Sequence, residues 1–304
     1  MSAGKLKIAI IGGTGLLGSN LIQLYTPDYD VRAFSRSQSV NIEKSKNTII
    51  DFESLECELE RYFEKWRPNI IINTVAVVNL KACETDKNLA NIVNVEYAKK
   101  LAHIAKKNDS YYIHISTDHY YDDDKIRHSE ENPRIYLNTY AQTKYLAECE
   151  ILRANSKSLI VRTNIIGFRK SQNTSFFEWL MDSLENELNI DMFIDYWTSP
   201  ISVHELGEIF LRMHDLKLWG VYNVGSSEVI DKYTFGIRTA TRFSFSHAGI
   251  RKASINSIAG SGIVRARTLG LDVSKIESAL GIKMPTIEST LDTLYDEYGV
   301  VHDG

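Results

Sequence analysis

The chain has 304 residues, enough for one large domain or two modest ones. Apolar residues make up 43% and charged residues 24%, which excludes disordered, collagen-like and low-complexity classes. Thirty-five basic and 39 acidic residues leave a net charge of −4, so no basic field exists to hold a nucleic-acid backbone. No apolar run approaches the ~18–20 residues that span a bilayer, and Ile8–Ile11 runs straight into glycines rather than forming a leader peptide. Cys57, Cys83 and Cys149 are too few and scattered for a disulfide frame or a zinc site; they read as buried, reduced thiols of a cytoplasmic protein.

In chain order, Leu6–Ile11 reads as a buried strand and Leu16–Tyr25 as a helix. Val31–Phe34 and Thr48–Ile50 are short strands, Ser54–Trp66 has helical spacing, and Ile70–Asn73 is another strand. A long helical stretch runs through Glu96–Lys107. Tyr111–Ser116 is β-branched and aromatic, hence a strand; Tyr140–Arg153 is helical and Leu159–Thr163 a strand. Alternation of this kind predicts an α/β fold with a doubly wound, mostly parallel sheet covered on both faces. Beyond Gly167 the pattern loosens. Phe176–Leu188 and Val203–His214 read as helices, Met192–Ile194 and Val221–Val224 as strands, and Phe243–Gly262 carries no clean period. Asp272–Leu280, with Asp272 as N-cap and Gly281 as stop, and Thr286–Tyr298 read as closing helices. The expected division is 1–166 with about 192–216 in a Rossmann-type dinucleotide-binding domain, and 167–191 with 217–304 in a smaller interleaved C-terminal lobe.

Gly12, Gly15 and Gly18 fit G-x-x-G-x-x-G between a strand and a helix. In that context Gly12 permits the tight turn, Gly15 lets a pyrophosphate approach the backbone, and Gly18 lets helix and sheet pack closely. The helix start offers free N–H groups and a positive dipole end. An NAD-type site places an acidic residue at the end of the second strand, but that place reads Phe34-Ser35-Arg36-Ser37. A guanidinium and hydroxyls suit a 2′-phosphate, which favours NADP(H) over NAD(H).

Tyr140-x-x-x-Lys144 is the second motif. The spacing alone is weak, and Tyr121…Lys125 matches it too, but within the acidic run Asp122–Asp124 that reads as a solvated loop. The Tyr140 pair shares one helical face and follows Ser116-Thr117-Asp118 at the carboxyl end of a strand, the edge where open α/β sheets bind ligands. A phenol beside an ammonium becomes a stronger acid, able to protonate an alkoxide formed by hydride transfer, and the Thr117 hydroxyl would orient the carbonyl.

GGTGLLG, the STD at 116–118 and Tyr140/Lys144 resemble the extended short-chain dehydrogenase/reductase superfamily, and within it the dTDP-4-dehydrorhamnose reductases. RPNIIINTVAVVNLKACE (67–84), LNTYAQTKYLAE (137–148), IVRTNIIG (160–167), SPISVHELGEIF (199–210) and RTLGLDVSKIESALGI (267–282) follow in the expected order. The resemblance implies reduction of a nucleotide-linked 4-keto-6-deoxysugar by NADP(H). Thr117, Tyr140 and Lys144 would be catalytic. Gly12, Thr14, Gly15, Leu17 and Gly18 would hold the pyrophosphate, Ser35 and Arg36 the 2′-phosphate, Asp51 and Phe52 the adenine. Asn73, Thr74, Val75, Ala76 and Asn94 would line the cofactor's far side, and Asp118, His119 and Arg267 would meet the substrate. The charge balance, the short apolar runs and the lack of an i,i+4 histidine pair argue against nucleic-acid, membrane and metal partners, and the resemblance implies a homodimer. His119-Tyr120-Tyr121 stand where the family has Tyr-Val-Phe, Val77-Val78-Asn79 replace Ala-Tyr-Thr, Tyr196-Trp197-Thr198 replace a segment with Gln-Gly, and Thr268 replaces a proline. These departures lie on the substrate side. His119 also occupies the place of the glutamate that removes water in related dehydratases, which argues against that chemistry. The alternatives left open are a nucleotide-sugar epimerase of the same superfamily and a catalytically silent NADP-binding regulatory subunit.

Overall fold

The computed structural model describes residues 5–37, 47–50, 55–169, 174–257 and 263–302. Two compact units emerge: Met1–Ser116 with Thr139–Val161 and Ile209–Val221, and Thr117–Asn138 with Arg162–Glu208 and Tyr222–Gly304.

The first unit contains β1 (Lys7–Ile11), α1 (Leu16–Tyr25), β2 (Asp30–Ser35), β3 (Asn47–Ile49), α2 (Leu55–Trp66), β4 (Ile70–Asn73), α3 (Leu80–Thr85) and α4 (Lys87–Asn91). A π-helical turn, Ile92–Glu96, then leads into α5 (Tyr97–Lys107) and β5 (Tyr111–Ile115). After the short β6 (Arg127–His128) of the second unit come α6 (Thr139–Ala154) and β7 (Ser158–Arg162).

The strands are runs of Ile, Val, Leu and Tyr because both of their faces are covered. Ala9, Ile11, Phe34, Ile71, Tyr112 and Ile160 pack with Leu59, Phe63 and Trp66 of α2, Leu101 and Ala105 of α5, and Ile151 of α6. The alternate set, Ile8, Ile10, Ile70, Ile72, Ile113 and Leu159, is equally buried. The expected doubly wound α/β sheet is present.

The second unit contains β8 (Asn164–Ile166), α7 (Phe176–Glu185), β9 (Ile190–Phe193), β10 (Trp197–Thr198), β11 (Pro200–Ser202) and the start of α8 (Val203–Asp215). β12 (Gly220–Asn223), β13 (Ile230–Asp231), α9 (Lys232–Arg242), β14 (Ile250–Ala253), β15 (Gly270–Leu271), α10 (Ser274–Leu280) and α11 (Ile287–His302) follow. Among the described residues the central sheet has seven strands in the order β12-β7-β5-β4-β1-β2-β3. The ladders β3·β2, β2·β1, β1·β4, β4·β5 and β5·β7 are parallel. The order reverses at β1, so the switch point lies between the carboxyl ends of β1 and β4, where such sheets take ligands.

A separate core in the second unit gathers Phe177, Leu180 and Leu184 of α7 with Phe235 of α9 and Leu291 and Leu294 of α11. Glu205 on α8 anchors α11 by accepting from Thr290 Oγ1 (2.9 Å) and Ser289 Oγ (3.1 Å). The segment expected to lack a period contains β14, which pairs with β9. Helix α9 was not anticipated. Asp272 is not the N-cap of α10; Val273 is, although Asp272 Oδ1 still accepts from the Ser274 backbone N–H at 2.9 Å. Gly281 does end that helix in the left-handed region, with φ +65°. Of the cysteines only Cys83 is buried, while Cys57 is exposed; all three are free thiols. No helix among the described residues is long and apolar enough to cross a membrane.

Candidate functional site

The turn after β1 is shaped by its glycines. Gly12 has φ +98°, and a Cβ there would meet Thr74 Oγ1 at 2.5 Å. Its N–H donates to the Phe34 carbonyl (2.8 Å), and Gly15 N–H donates to the Gly12 carbonyl (3.1 Å). A Cβ on Gly18 would fall 2.2 Å from the Gly12 oxygen, so α1 rests directly on the turn, whereas one on Gly15 would meet that oxygen at an ordinary 3.5 Å. Gly15 is the N-cap and supplies no side chain to the helix N–H groups, which leaves them for an anion. Thr14 and Leu17 flank these positions, Leu17 buried. The cradle fits a pyrophosphate.

Ser35 ends β2 with its hydroxyl donating to the Ser37 carbonyl (2.8 Å), and Arg36 is exposed just beyond. Asp51 and Phe52 lie outside the described residues. At the end of β4, Thr74 N–H and Oγ1 both donate to the Ile11 carbonyl, each at 2.9 Å, tying Asn73–Ala76 to the glycine turn. Thr74, Val75 and Ala76 are half-buried. Asn94, wholly buried in the π-helical turn, accepts from Val77 N–H (2.7 Å) and donates to Thr143 Oγ1 (3.0 Å). It thereby links the loop after β4 to α6.

Helix α6 carries Tyr140 and Lys144 one turn apart. Glu84 on α3 fixes its start by accepting from the Thr139 N–H at 2.6 Å, and that hydrogen bond holds the Glu84 carboxyl below its ordinary value. Tyr140 packs with Cys83 and Ala90. Burial pushes the Cys83 thiol up to about 11, so it is not a nucleophile at neutral pH. Lys144 is 1% exposed. Its Nζ donates to the Ile115 carbonyl at 2.6 Å, at the carboxyl end of β5, and lies 3.2 Å from His114 Nε2. Burial pulls Lys144 down to about 8, against the favourable charge of Glu148. Glu148, a turn further on, accepts from Ser116 Oγ at 2.5 Å. Tyr140, Lys144, Asn73, Asn94 and the glycine turn therefore all belong to the first unit.

Thr117, Asp118 and His119 belong to the second unit. Thr117 Oγ1 accepts from the His119 N–H (3.2 Å), and Asp118 Oδ2 accepts from Asn164 Nδ2 (2.8 Å). Burial raises Asp118 despite the opposing charges of His119 and Lys232, and burial lowers His119. The same unit holds a cavity of 450 Å³ walled by Phe176, Trp179 and Tyr196, with Lys232 and Arg265 at its lining. Lys232 Nζ stands 3.9 Å from the Phe176 ring centroid, and burial brings it down to about 8. Arg267 does not line that cavity; its backbone N–H (3.0 Å) and Nε (3.2 Å) both meet Asp122 Oδ1. In the second Tyr-x-x-x-Lys match, Lys125 is exposed as expected, but Tyr121 is buried and stacks on His128 with ring centroids 4.3 Å apart.

Sequence reasoning passed over Glu84, His114, Glu148, Lys232 and Arg265. His114 was visible only as a letter before the STD. The glutamates act through helix-to-loop contacts that no motif marks. Arg265 sits two positions before the arginine that was singled out.

The chain is 24% identical over 290 residues to the "Probable low-salt glycan biosynthesis reductase Agl14" of Haloferax volcanii, covering 94% of this chain and 96% of that protein. It is also 24% identical over 297 residues to "Methionine adenosyltransferase 2 subunit beta" of Pongo abelii, covering 92% and 84%. Its fold matches the crystal structure of dTDP-4-dehydrorhamnose reductase from Bacillus anthracis str. Ames in complex with NADP, with a TM-score of 0.82, 21% identity, and 96% and 99% of the two chains covered. Residues 6–300 match the RmlD substrate binding domain family, and the chain belongs to that family.

Proposed function

We propose that this protein is an NADPH-dependent reductase acting on the C4 keto group of a nucleotide-linked 4-keto-6-deoxysugar. The observation that carries the reading is Lys144: a buried amine anchored on the Ile115 carbonyl at the end of β5, one helical turn from the Tyr140 phenol. The cofactor, when bound, supplies the hydride. The glycine turn would hold its pyrophosphate, and Ser35 and Arg36 its 2′-phosphate. Tyr140 donates a proton to the sugar oxygen as hydride arrives at C4. Lys144 in its charged form makes that phenol more acidic and binds the nicotinamide ribose. Thr117, the residue after Ser116, orients the carbonyl and stabilises charge on it. In this reading Asp118, which is buried, and the half-buried His119 and Lys232 of the second unit would meet the substrate. The aromatic cavity with Lys232 and Arg265 suits a nucleoside diphosphate.

The similarity to a protein named as the beta subunit of another enzyme keeps a second reading in play, the catalytically silent NADP-binding subunit. One assay separates the two. The purified chain is mixed with NADPH and a panel of nucleotide 4-keto-6-deoxysugars, and absorbance of the reduced nicotinamide is followed. Stoichiometric oxidation with one sugar supports the reductase, and Tyr140→Phe then lowers turnover by roughly two to four orders of magnitude while NADPH still binds. An unchanged rate in that variant removes Tyr140 from the reaction. NADPH-dependent stabilisation with no oxidation on any sugar supports the subunit.

A further inference from the structure

Lys144 is met by a hydrogen-bond network whose polarity can be traced atom by atom. It starts at Asn73, which pairs in register with His114 across β4 and β5. Asn73 Oδ1 accepts from the Val75 backbone N–H (3.0 Å), which fixes the amide's orientation. Its Nδ2 then faces Tyr112 Oη (3.2 Å) and His114 Nδ1 (3.1 Å). The Tyr112 hydroxyl donates to the Ala98 carbonyl (3.1 Å), so its oxygen is an acceptor for Asn73. An amide NH2 has only protons to offer, so Nδ1 of His114 must be the bare ring nitrogen. A neutral imidazole then carries its proton on Nε2.

His114 is wholly buried, and burial by itself pushes it well below the usual imidazole range. A second ring proton is therefore disfavoured. Nε2 lies 3.2 Å from Lys144 Nζ. An ammonium has no lone pair and would set N–H against N–H. A neutral amine accepts the imidazole proton and still donates to the Ile115 carbonyl at 2.6 Å.

We propose that His114 is a positioning residue for Lys144: oriented by Asn73, it points Nε2–H at the amine and selects its neutral form. The other groups facing Lys144 act differently. Glu148, further along α6, favours the ammonium, and burial among β5 and α6 opposes it. His114 adds to burial, so the charge beside Tyr140 becomes switchable near neutral pH rather than permanent. That consequence for catalysis rests on the reductase reading; the protonation state of Lys144 does not.

The test reads protons directly and needs no turnover. In full-length protein labelled with 15N-histidine, His114 is expected to show a bare Nδ1 and a protonated Nε2. The reverse tautomer overturns the proposal. In protein labelled at the lysine 13Cε, with the Lys144 signal assigned by its loss in Lys144→Met, the titration midpoint is followed by NMR. His114→Gln replaces a fixed donor with an amide free to turn its oxygen to the amine. The midpoint is expected to rise by about one pH unit or more. An unchanged midpoint in a folded His114→Gln protein overturns the proposal, and if that variant does not fold the tautomer measurement decides alone. Absence of NADPH oxidation would defeat the reductase reading while leaving both NMR results standing.

Discussion

A methyl group on Gly18 would lie 2.2 Å from the carbonyl oxygen of Gly12, whereas one on Gly15 would lie 3.5 Å from the same oxygen. The first contact is with backbone that cannot swing aside. Gly18→Ala is therefore expected to destabilise the cofactor-free chain by about 1–3 kcal/mol through overpacking. Gly15→Ala is expected to leave its melting temperature nearly unchanged yet weaken NADPH binding by tenfold or more on the order of magnitude set by one lost backbone approach. Thermal melts with and without NADPH separate the two effects.

Lys144 supplies a pH-dependent prediction. Its proton affinity falls from 10.5 to about 8 on folding. Below pH 8 both states hold the proton, and folding takes the charge out of water. Between the two values the unfolded chain binds more protons, so the natural protein gains stability as pH rises. Lys144→Met lacks this dependence. Its stability relative to the natural chain is expected to fall by about 3 kcal/mol between pH 7 and 10.5, whatever the lost hydrogen bonds contribute at each pH. Urea unfolding at several pH values in cofactor-free protein measures that slope.

In the proposed reading the cofactor choice turns on Arg36, exposed just beyond β2. A hydrogen bond to a charged phosphate is worth about 1.5–3 kcal/mol. Arg36→Ala is thus expected to raise the dissociation constant for NADPH by about ten- to a hundredfold and to change NADH little. Equal effects on both nucleotides, measured by calorimetry, would remove Arg36 from 2′-phosphate recognition.

The two C-terminal arginines should part company. Arg265 lines the aromatic cavity, while Arg267 is engaged by Asp122. Arg265→Ala is expected to raise the substrate KM by about tenfold or more with a smaller change in kcat, and Arg267→Ala to change KM by less than about twofold. Steady-state kinetics on the sugar found in the screen checks this, and the reverse ranking would favour Arg267 over Arg265 as the substrate contact.

The parts of the fold that were legible are those where one residue type repeats for one reason. Ile8–Ile11 and Ile70–Ile72 are unbroken apolar runs because parallel strands are covered twice. The glycine turn was legible because backbone approach admits no substitute. β14 was not, since only Ile250 is buried and Arg251 and Lys252 face outward; pairing with β9 makes it a strand, and that partner is remote in sequence. Helix α9 was obscured by Gly236, where a Cβ would stand 3.1 Å from the terminal methyl of Met192. The π-helical turn at Ile92–Glu96 inserts a residue into a helical period without changing its composition. In the candidate site, the Tyr140–Lys144 spacing became legible only through its helical stretch and the Ser116-Thr117-Asp118 that precedes it, since Tyr121 and Lys125 share the same spacing. The neighbours of Tyr140 and Lys144, His114 and Asn73, are joined across strands, through a register that only the assembled sheet defines.

Among the described residues the sheet's outer strand beside β7 is β12, encoded at Gly220–Asn223, long after β7 itself. A ribosome releases the other six strands before it translates the one that closes this margin. A stalled or prematurely terminated polypeptide ending ahead of residue 220 would carry Leu159, Ile160 and Val161 on an open, hydrogen-bond-hungry border, the kind of template on which chains accrete. Truncation there should yield inclusion bodies rather than a small, free-standing nucleotide-binding fragment.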